Sequence, residues 1–174
     1  RVAILTGCAQ PVLKPGINEA TIRLLTRLGI EVVVPEGEGC CGSLVHHMGR
    51  EERALEDARR NVDAWTREIE AGGLDAVIVT ASGCGTTIKD YGWMLREDAA
   101  YADKAKRVSA LAKDITEYLA SIELPDPAVR ANLTVAYHSA CSMQHGQKIT
   151  AAPKNLLKAA GFSVRDPAEG HLCC

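Results

Sequence analysis

The 174-residue chain is 47% hydrophobic and 24% charged, carries a net charge of −2 and holds seven cysteines. A chain of this length buries roughly 70% of its unfolded surface and folds without crosslinks, as one domain or as two small ones packed together. There is no basic excess to suggest nucleic acid, no apolar run near the roughly 20 residues of a membrane span, and no secretory context to turn an odd number of cysteines into a disulfide framework.

The chain opens on R-V-A-I-L-T without an initiator Met, and is expected to be a piece of a longer protein. V-A-I-L-T is a short strand leading to Cys8, T-I-R-L-L-T-R-L-G is helical, and I-E-V-V-V is a second strand followed by Pro35, Glu36-Gly37 and G-C-C-G. In residues 51–70, Leu55, Ala58, Val62, Trp65 and Ile69 recur at three- and four-residue steps. They form one apolar stripe on a charged helix, with Trp65 as core. Gly72-Gly73 ends that helix, and L-D-A-V-I-V-T (74–80) is a buried strand. After A-S-G-C-G come Asp90 and Tyr91, read as helix surface and core without a partner, and a longer helical tract over 108–119. P-D-P (125–127) breaks the pattern. Alternating strands and helices predict an α/β protein with a parallel sheet, of Rossmann or flavodoxin-like type.

The chain also repeats. V-A-I-L-T-G-C (2–8) matches V-A-Y-H-S-A-C (135–141), and 32 positions separate Cys8 from Cys40 as they do Cys141 from Cys173. A second cysteine follows in both copies, at Cys41 and Cys174, and the second copy has its own helix (N-L-L-K-A-A-G), strand (F-S-V) and Glu169-Gly170 turn. This predicts an internal duplication, with a first repeat over residues 1–127 and an incomplete second over 128–174. By the same spacing, a further glycine-flanked cysteine is expected roughly 40–45 residues beyond Cys174.

Parallel α/β sheets gather functional residues outside the carboxyl ends of their strands. Cys8, Cys40-Cys41 and Cys84 follow the first three predicted strands, so their sulfurs are expected at one sheet edge, and Cys141, Cys173 and Cys174 at the equivalent edge of the second repeat. Gly39, Gly42, Gly83 and Gly85 flank the first set, where they let the backbone turn tightly and aim amides at sulfur. Adjacent cysteines in extended chain point oppositely, which suits two irons of one cluster better than a single ion. Four thiolates fit a [4Fe–4S] cluster or a Zn(Cys)₄ site equally. His138 and His145 flank Cys141 and are alternative ligands or hydrogen-bonding supports, whereas His46 and His47 read as exposed. No catalytic nucleophile–base pair and no glycine-rich phosphate loop is present, and adjacent cysteines lack the Cys-x-x-Cys geometry of thiol–disulfide catalysis.

A lone Cys, about thirty residues, Cys-Cys-Gly and a glycine-flanked Cys, given twice, resembles the cysteine-rich CCG domain. That domain occurs in heterodisulfide reductases, anaerobic glycerol-3-phosphate dehydrogenases, lactate-utilisation proteins and glycolate oxidase iron–sulfur subunits. The motifs T-G-C-A-Q, G-C-C-G-S-L, T-A-S-G-C-G, Y-H-S-A-C-S-M-Q-H-G-Q and E-G-H-L-C-C resemble the last type most, over essentially the whole chain. The resemblance implies an electron-transfer part of an oxidoreductase complex, not catalytic in isolation. All seven cysteines would be cofactor-binding, with Cys8, Cys40, Cys41 and Cys84 as ligands of a [4Fe–4S]-type cluster. It implies a flavin-containing dehydrogenase subunit and an amino-terminal ferredoxin-like module as partners, and a cytoplasmic location, peripheral to the inner membrane where the acceptor lies. The fullest family pattern has Cys-x-x-Cys after the third strand, whereas Ala81 stands here at the first position, so the first repeat offers four thiolates and not five. The competing reading is a zinc-binding domain that docks subunits without redox work. For the isolated chain in air, loss of the cluster or its replacement by zinc is expected.

Overall fold

The computed structural model describes residues 1–170, which divide into two compact units, the first spanning Arg1–Asp114 and the second beginning at Ile115. The division falls ahead of the proline break at 125–127.

In the first unit, β1 (Val2–Ile4), β2 (Val32–Val33), β3 (Ala76–Val79) and β4 (Ala112–Asp114) form one parallel sheet in the order β2-β1-β3-β4. Val2 pairs with both Val32 and Ala76, and Val77 with Ala112. Every residue of β1 and β3 is buried, as expected for central strands covered on both faces. This is the doubly wound order with its reversal between β1 and β3, the point at which such sheets open a crevice at their carboxyl edge.

Helices α1 (Gln10–Leu13), α2 (Gly16–Arg27), α3 (Ser43–His47), α4 (Glu51–Gly72), α5 (Ser82–Lys89), α6 (Tyr91–Met94) and α7 (Ala102–Leu111) connect and cover these strands. The stripe on α4 is core, with Ala58, Val62, Trp65 and Ile69 buried and Leu55 packed at its margin. Trp65 stacks on Tyr91 with ring centroids 6.4 Å apart. Each large residue of the stripe contributes about 1.5–3 kcal/mol on burial. Gly73, at φ +74°, ends the helix as the paired glycines predict.

The tract over 108–119 is not one helix. It is the end of α7, the strand β4 and then α8 (Ile115–Ala120). A-L-A-K-D has good helical propensity, but Ala112–Asp114 complete the hydrogen bonding of β3 and bury Ala112 and Asp114 on doing so. Sheet pairing here overrides local preference.

The second unit holds α8, β5 (Thr134–Ala136), a π-helical turn (Ser142–Gly146), α9 (Ala152–Ala159) and β6 (Ser163–Arg165). β5 and β6 are parallel, with Val135 opposite Val164. The connection from β5 to β6 repeats that from β1 to β2 down to its helix cap. Gly29 and Gly161 both have positive φ, and their amides bond Thr26 O and Lys158 O, while the next amides, of Ile30 and Phe162, bond Leu25 O and Leu157 O. The same Schellman-type end closes the helix in both copies. Among the described residues, no helix is long and apolar enough to cross a membrane.

Candidate metal centre

Three parallel strand ends deliver four thiols. Cys8 follows β1, Cys40 and Cys41 lie between β2 and α3, and Cys84 sits in the first turn of α5 just after β3. All four are free thiols; Cys8 is exposed, Cys40 and Cys84 half-buried, and Cys41 is 2% exposed. Gly83 and Gly85 do not form the expected loop turn: they lie within α5, where the Gly85 amide bonds Ala81 O at 3.0 Å. The helix begins early because β3 leads straight into it, and this puts Cys84 at its positive end.

The thiols act on each other as two pairs, Cys8 with Cys40 and Cys41 with Cys84. The pairs also act on each other, since Cys84 feels the charge of Cys8 and Cys40. Hydrogen bonding to Cys40, with burial, pushes the Cys8 thiol up. Hydrogen bonding to Cys84, with burial, raises Cys41 far above the ordinary thiol range, and the same bond lowers Cys84. The Cys41–Cys84 pair therefore titrates as a unit, its two thiols pushed in opposite directions. Deprotonating all four requires a compensating positive charge among them, which a metal centre supplies. Among the described residues, no three His, Cys, Asp or Glu side chains gather about one ion position. The donor set is nonetheless entirely sulfur, and backbone amides bear on every member: Ala9 on Cys8, Gly42 on Cys40 at 3.5 Å, Ser43 and Cys41 on the Cys41 sulfur, and the Cys84 amide on its own. Thiolates faced by amides fit an iron–sulfur cluster.

The loop before α3 is strapped to its surroundings. Gly42 has φ +81°, and a β-carbon there would lie 3.0 Å from Ala54 O. The amide of Asn61 on α4 donates to Cys40 O at 2.9 Å and to the Tyr91 hydroxyl at 3.1 Å, and its oxygen accepts from Gly39 N at 2.9 Å. Tyr91 in turn donates to Cys41 O at 2.8 Å. Arg60, paired to Asp57 at 2.8 Å, reaches Cys40 O at 3.3 Å, and Arg67 bonds Glu36 O at 2.6 Å. The Glu38 carboxyl accepts from the Thr6 amide and hydroxyl, tying this loop to the end of β1; burial pushes its pKa up. Thr80, after β3, donates to Asn18 at 2.8 Å, and Asn18 donates to Thr6 O at 3.2 Å. The mouth of the crevice is thus pinned from both central strands.

Asn61 and Tyr91 are the residues that sequence reasoning missed. Tyr91 is core as expected, but it has partners; the signal was Asn61, a polar side chain set inside the stripe between Ala58 and Val62. His46 and His47 lie exposed in the last turn of α3, as expected. His138 is exposed after β5, His145 is exposed on the π-helical turn, and Cys141 is half-buried just before that turn, all in the second unit. Cys173 and Cys174 lie outside the described residues.

A model of the family described as "Cysteine-rich domain" (CCG) matches residues 2–89 and 135–174. The chain is 47% identical to the "Glycolate oxidase iron-sulfur subunit" of Escherichia coli K12, over its whole length and 42% of that protein. It is 29% identical to the "Probable glycolate oxidase iron-sulfur subunit" of Bacillus subtilis 168, again over its whole length and 39% of the relative. Its identity to "Lactate utilization protein A" of Bacillus licheniformis is 26%, covering 71% of that protein. The chain therefore spans about two fifths of the length of the first two relatives.

Proposed function

This chain belongs to the cysteine-rich CCG domain family, and on that premise we propose that it is the electron-carrying part of an iron–sulfur subunit in a glycolate (2-hydroxy-acid) oxidase or dehydrogenase complex. One observation carries the reading: four free thiols stand just after three adjacent strand ends beside the switch point of the sheet, with the Gly42 amide 3.5 Å from the Cys40 sulfur. Cys8, Cys40, Cys41 and Cys84 would hold the group, which when bound accepts and releases single electrons between a flavin-bearing partner subunit and a further acceptor. The chain's own residues do the rest. Binding of the group would displace the thiol protons to solvent, with the thiolates held by Cys8, Cys40, Cys41 and Cys84. Burial of Cys41 keeps water from its sulfur, and exposure of Cys8 leaves that end open for electron entry or exit. Hydride abstraction from the hydroxy acid is assigned to the flavin partner, the hydride acceptor in such chemistry. We place the complex in the cytoplasm, docked at the inner face of the membrane where its acceptor resides.

Anaerobic purification of the full-length protein, with iron, sulfide and zinc analysis and EPR of the reduced state, tests the proposal. A cluster signal lost on replacing Cys41 supports it. A colourless protein with stoichiometric zinc, unaltered in complex assembly and activity by the loss of redox-active iron, refutes it and leaves the docking-domain reading.

A further inference from the structure

We propose that Asn61 and Tyr91 are positioning residues that raise the reduction potential of the group held by Cys40 and Cys41, by fixing the orientation of two peptide planes. The inference rests on the iron–sulfur reading above. Its starting point is an oddity of direction. Carbonyls of successive residues in extended chain point opposite ways, yet Cys40 O and Cys41 O are captured by one buried node, the first by Asn61 Nδ2 at 2.9 Å and the second by the Tyr91 hydroxyl at 2.8 Å. The two captors are bonded to each other at 3.1 Å, and neither side chain is exposed at all.

A peptide N–H points opposite its own C=O. The plane of Cys40 O carries the Cys41 amide, and the plane of Cys41 O carries the Gly42 amide. Both act on sulfur: Gly42 N lies 3.5 Å from Cys40 Sγ, and the Cys41 amide bears on the Cys41 sulfur. Drawing both carbonyls into the α4–α6 side thus presents both amides to the ligands. Asn61 spends both of its amide hydrogens on this node and its oxygen on Gly39 N at 2.9 Å, so the side chain has one orientation that satisfies all three partners. Tyr91 accepts one bond and donates one, and burial keeps its proton in place. Amides aimed at thiolate stabilise the more negative, reduced state, so a fixed pair of them moves the potential upward. Neither Asn61 nor Tyr91 touches a sulfur. They act through the backbone, which is why motif spacing does not reveal them.

The test is a redox titration of the anaerobically loaded full-length protein, followed by EPR on the signal that Cys41→Ser removes. Tyr91→Phe deletes one hydroxyl and keeps the ring that stacks on Trp65. Its midpoint is expected below that of the unaltered protein, with iron per chain unchanged. Asn61→Asp, which keeps the bond from Gly39 but loses both donors, is expected to shift it the same way. Tyr101→Phe is the matched control: its hydroxyl bonds the Asp63 carboxylate at 2.8 Å and no cysteine peptide, and the midpoint is expected to stay put. If Tyr91→Phe fails to hold iron, 3-fluorotyrosine at position 91 decides, since it keeps the bond with a stronger donor and is expected to move the midpoint upward. An iron-loaded Tyr91→Phe with an unmoved midpoint, or a fluorotyrosine protein with none, overturns the inference and leaves the node a packing feature. Unaltered protein that binds no iron at these cysteines instead refutes the electron-carrier reading, and the inference with it.

Discussion

Replacing Gly42 with alanine is expected to destabilise the first unit by about 2–5 kcal/mol, more than any other exchange of a single hydrogen for a methyl in the cysteine loops. Two costs combine. The backbone at φ +81° is left-handed, which for a residue with a β-carbon costs about 1–2 kcal/mol. The new carbon also lies 3.0 Å from Ala54 O and 3.3 Å from Ala54 Cα. Both are backbone atoms of α4, so either the helix or the loop must shift, at about 1–3 kcal/mol. For a chain of this length that corresponds to a fall in melting temperature of roughly 5–15 °C. Gly49 separates the two costs: it has φ +73° but nothing within 4 Å of its would-be β-carbon, so Gly49→Ala carries the conformational cost alone. Thermal unfolding by circular dichroism, with iron analysis of the same samples, is the assay. Equal losses in the two variants would refute the close-approach argument. A Gly42→Ala protein that melts at the unaltered temperature would refute both parts.

Other consequences are equally measurable. In the full-length complex, Cys41→Ser is expected to abolish hydroxy-acid-driven reduction of the acceptor while the partner's flavin still bleaches on adding substrate; undiminished acceptor reduction would take this site off the electron path. Trp65→Ala removes the centre of the α4 stripe and its stack on Tyr91, and should cost about 3–5 kcal/mol in a denaturant titration; a loss under about 1 kcal/mol would mean the helix is held elsewhere. After anaerobic removal of metal by chelator, alkylation mapped by mass spectrometry should mark Cys8 well before Cys41, because one thiol is exposed and the other is buried and holds its proton far more tightly. The reverse order would contradict the burial of Cys41.

The sheet, the α4 stripe and the placement of the first three cysteine loops after their strands were legible because each rests on a periodic or strand-end pattern within a short window. β4 was not, since nothing in A-K-D distinguishes it from the helix before it until β3 offers an unpaired edge. The glycines around Cys84 misled for a related reason: glycine marks tight turns on average, but here β3 runs directly into α5 and both glycines are helical. Asn61 and Tyr91 escaped because their bonds join residues 21 to 50 positions apart, two of them to backbone carbonyls that carry no side-chain signature. A polar residue inside an apolar stripe was the available hint, and it gives the existence of a buried partner without its identity.

The strand order also imposes a sequence of events on the growing chain. Cys8 and Cys40 are brought together by the β1–β2 unit, which is complete within the first half of the first unit. Cys84 arrives only when β3 docks beside β1, a pairing that links Val2 with Ala76 across more than seventy residues. Until that long-range closure, a nascent or partly unfolded chain offers three of the four thiols in the proposed ligand set. Under the proposed ligation, metal retention at this edge would act as a check on the register of the central strands: only chains that have seated β3 would keep the metal, because a strand displaced by one residue turns its neighbours to the other face.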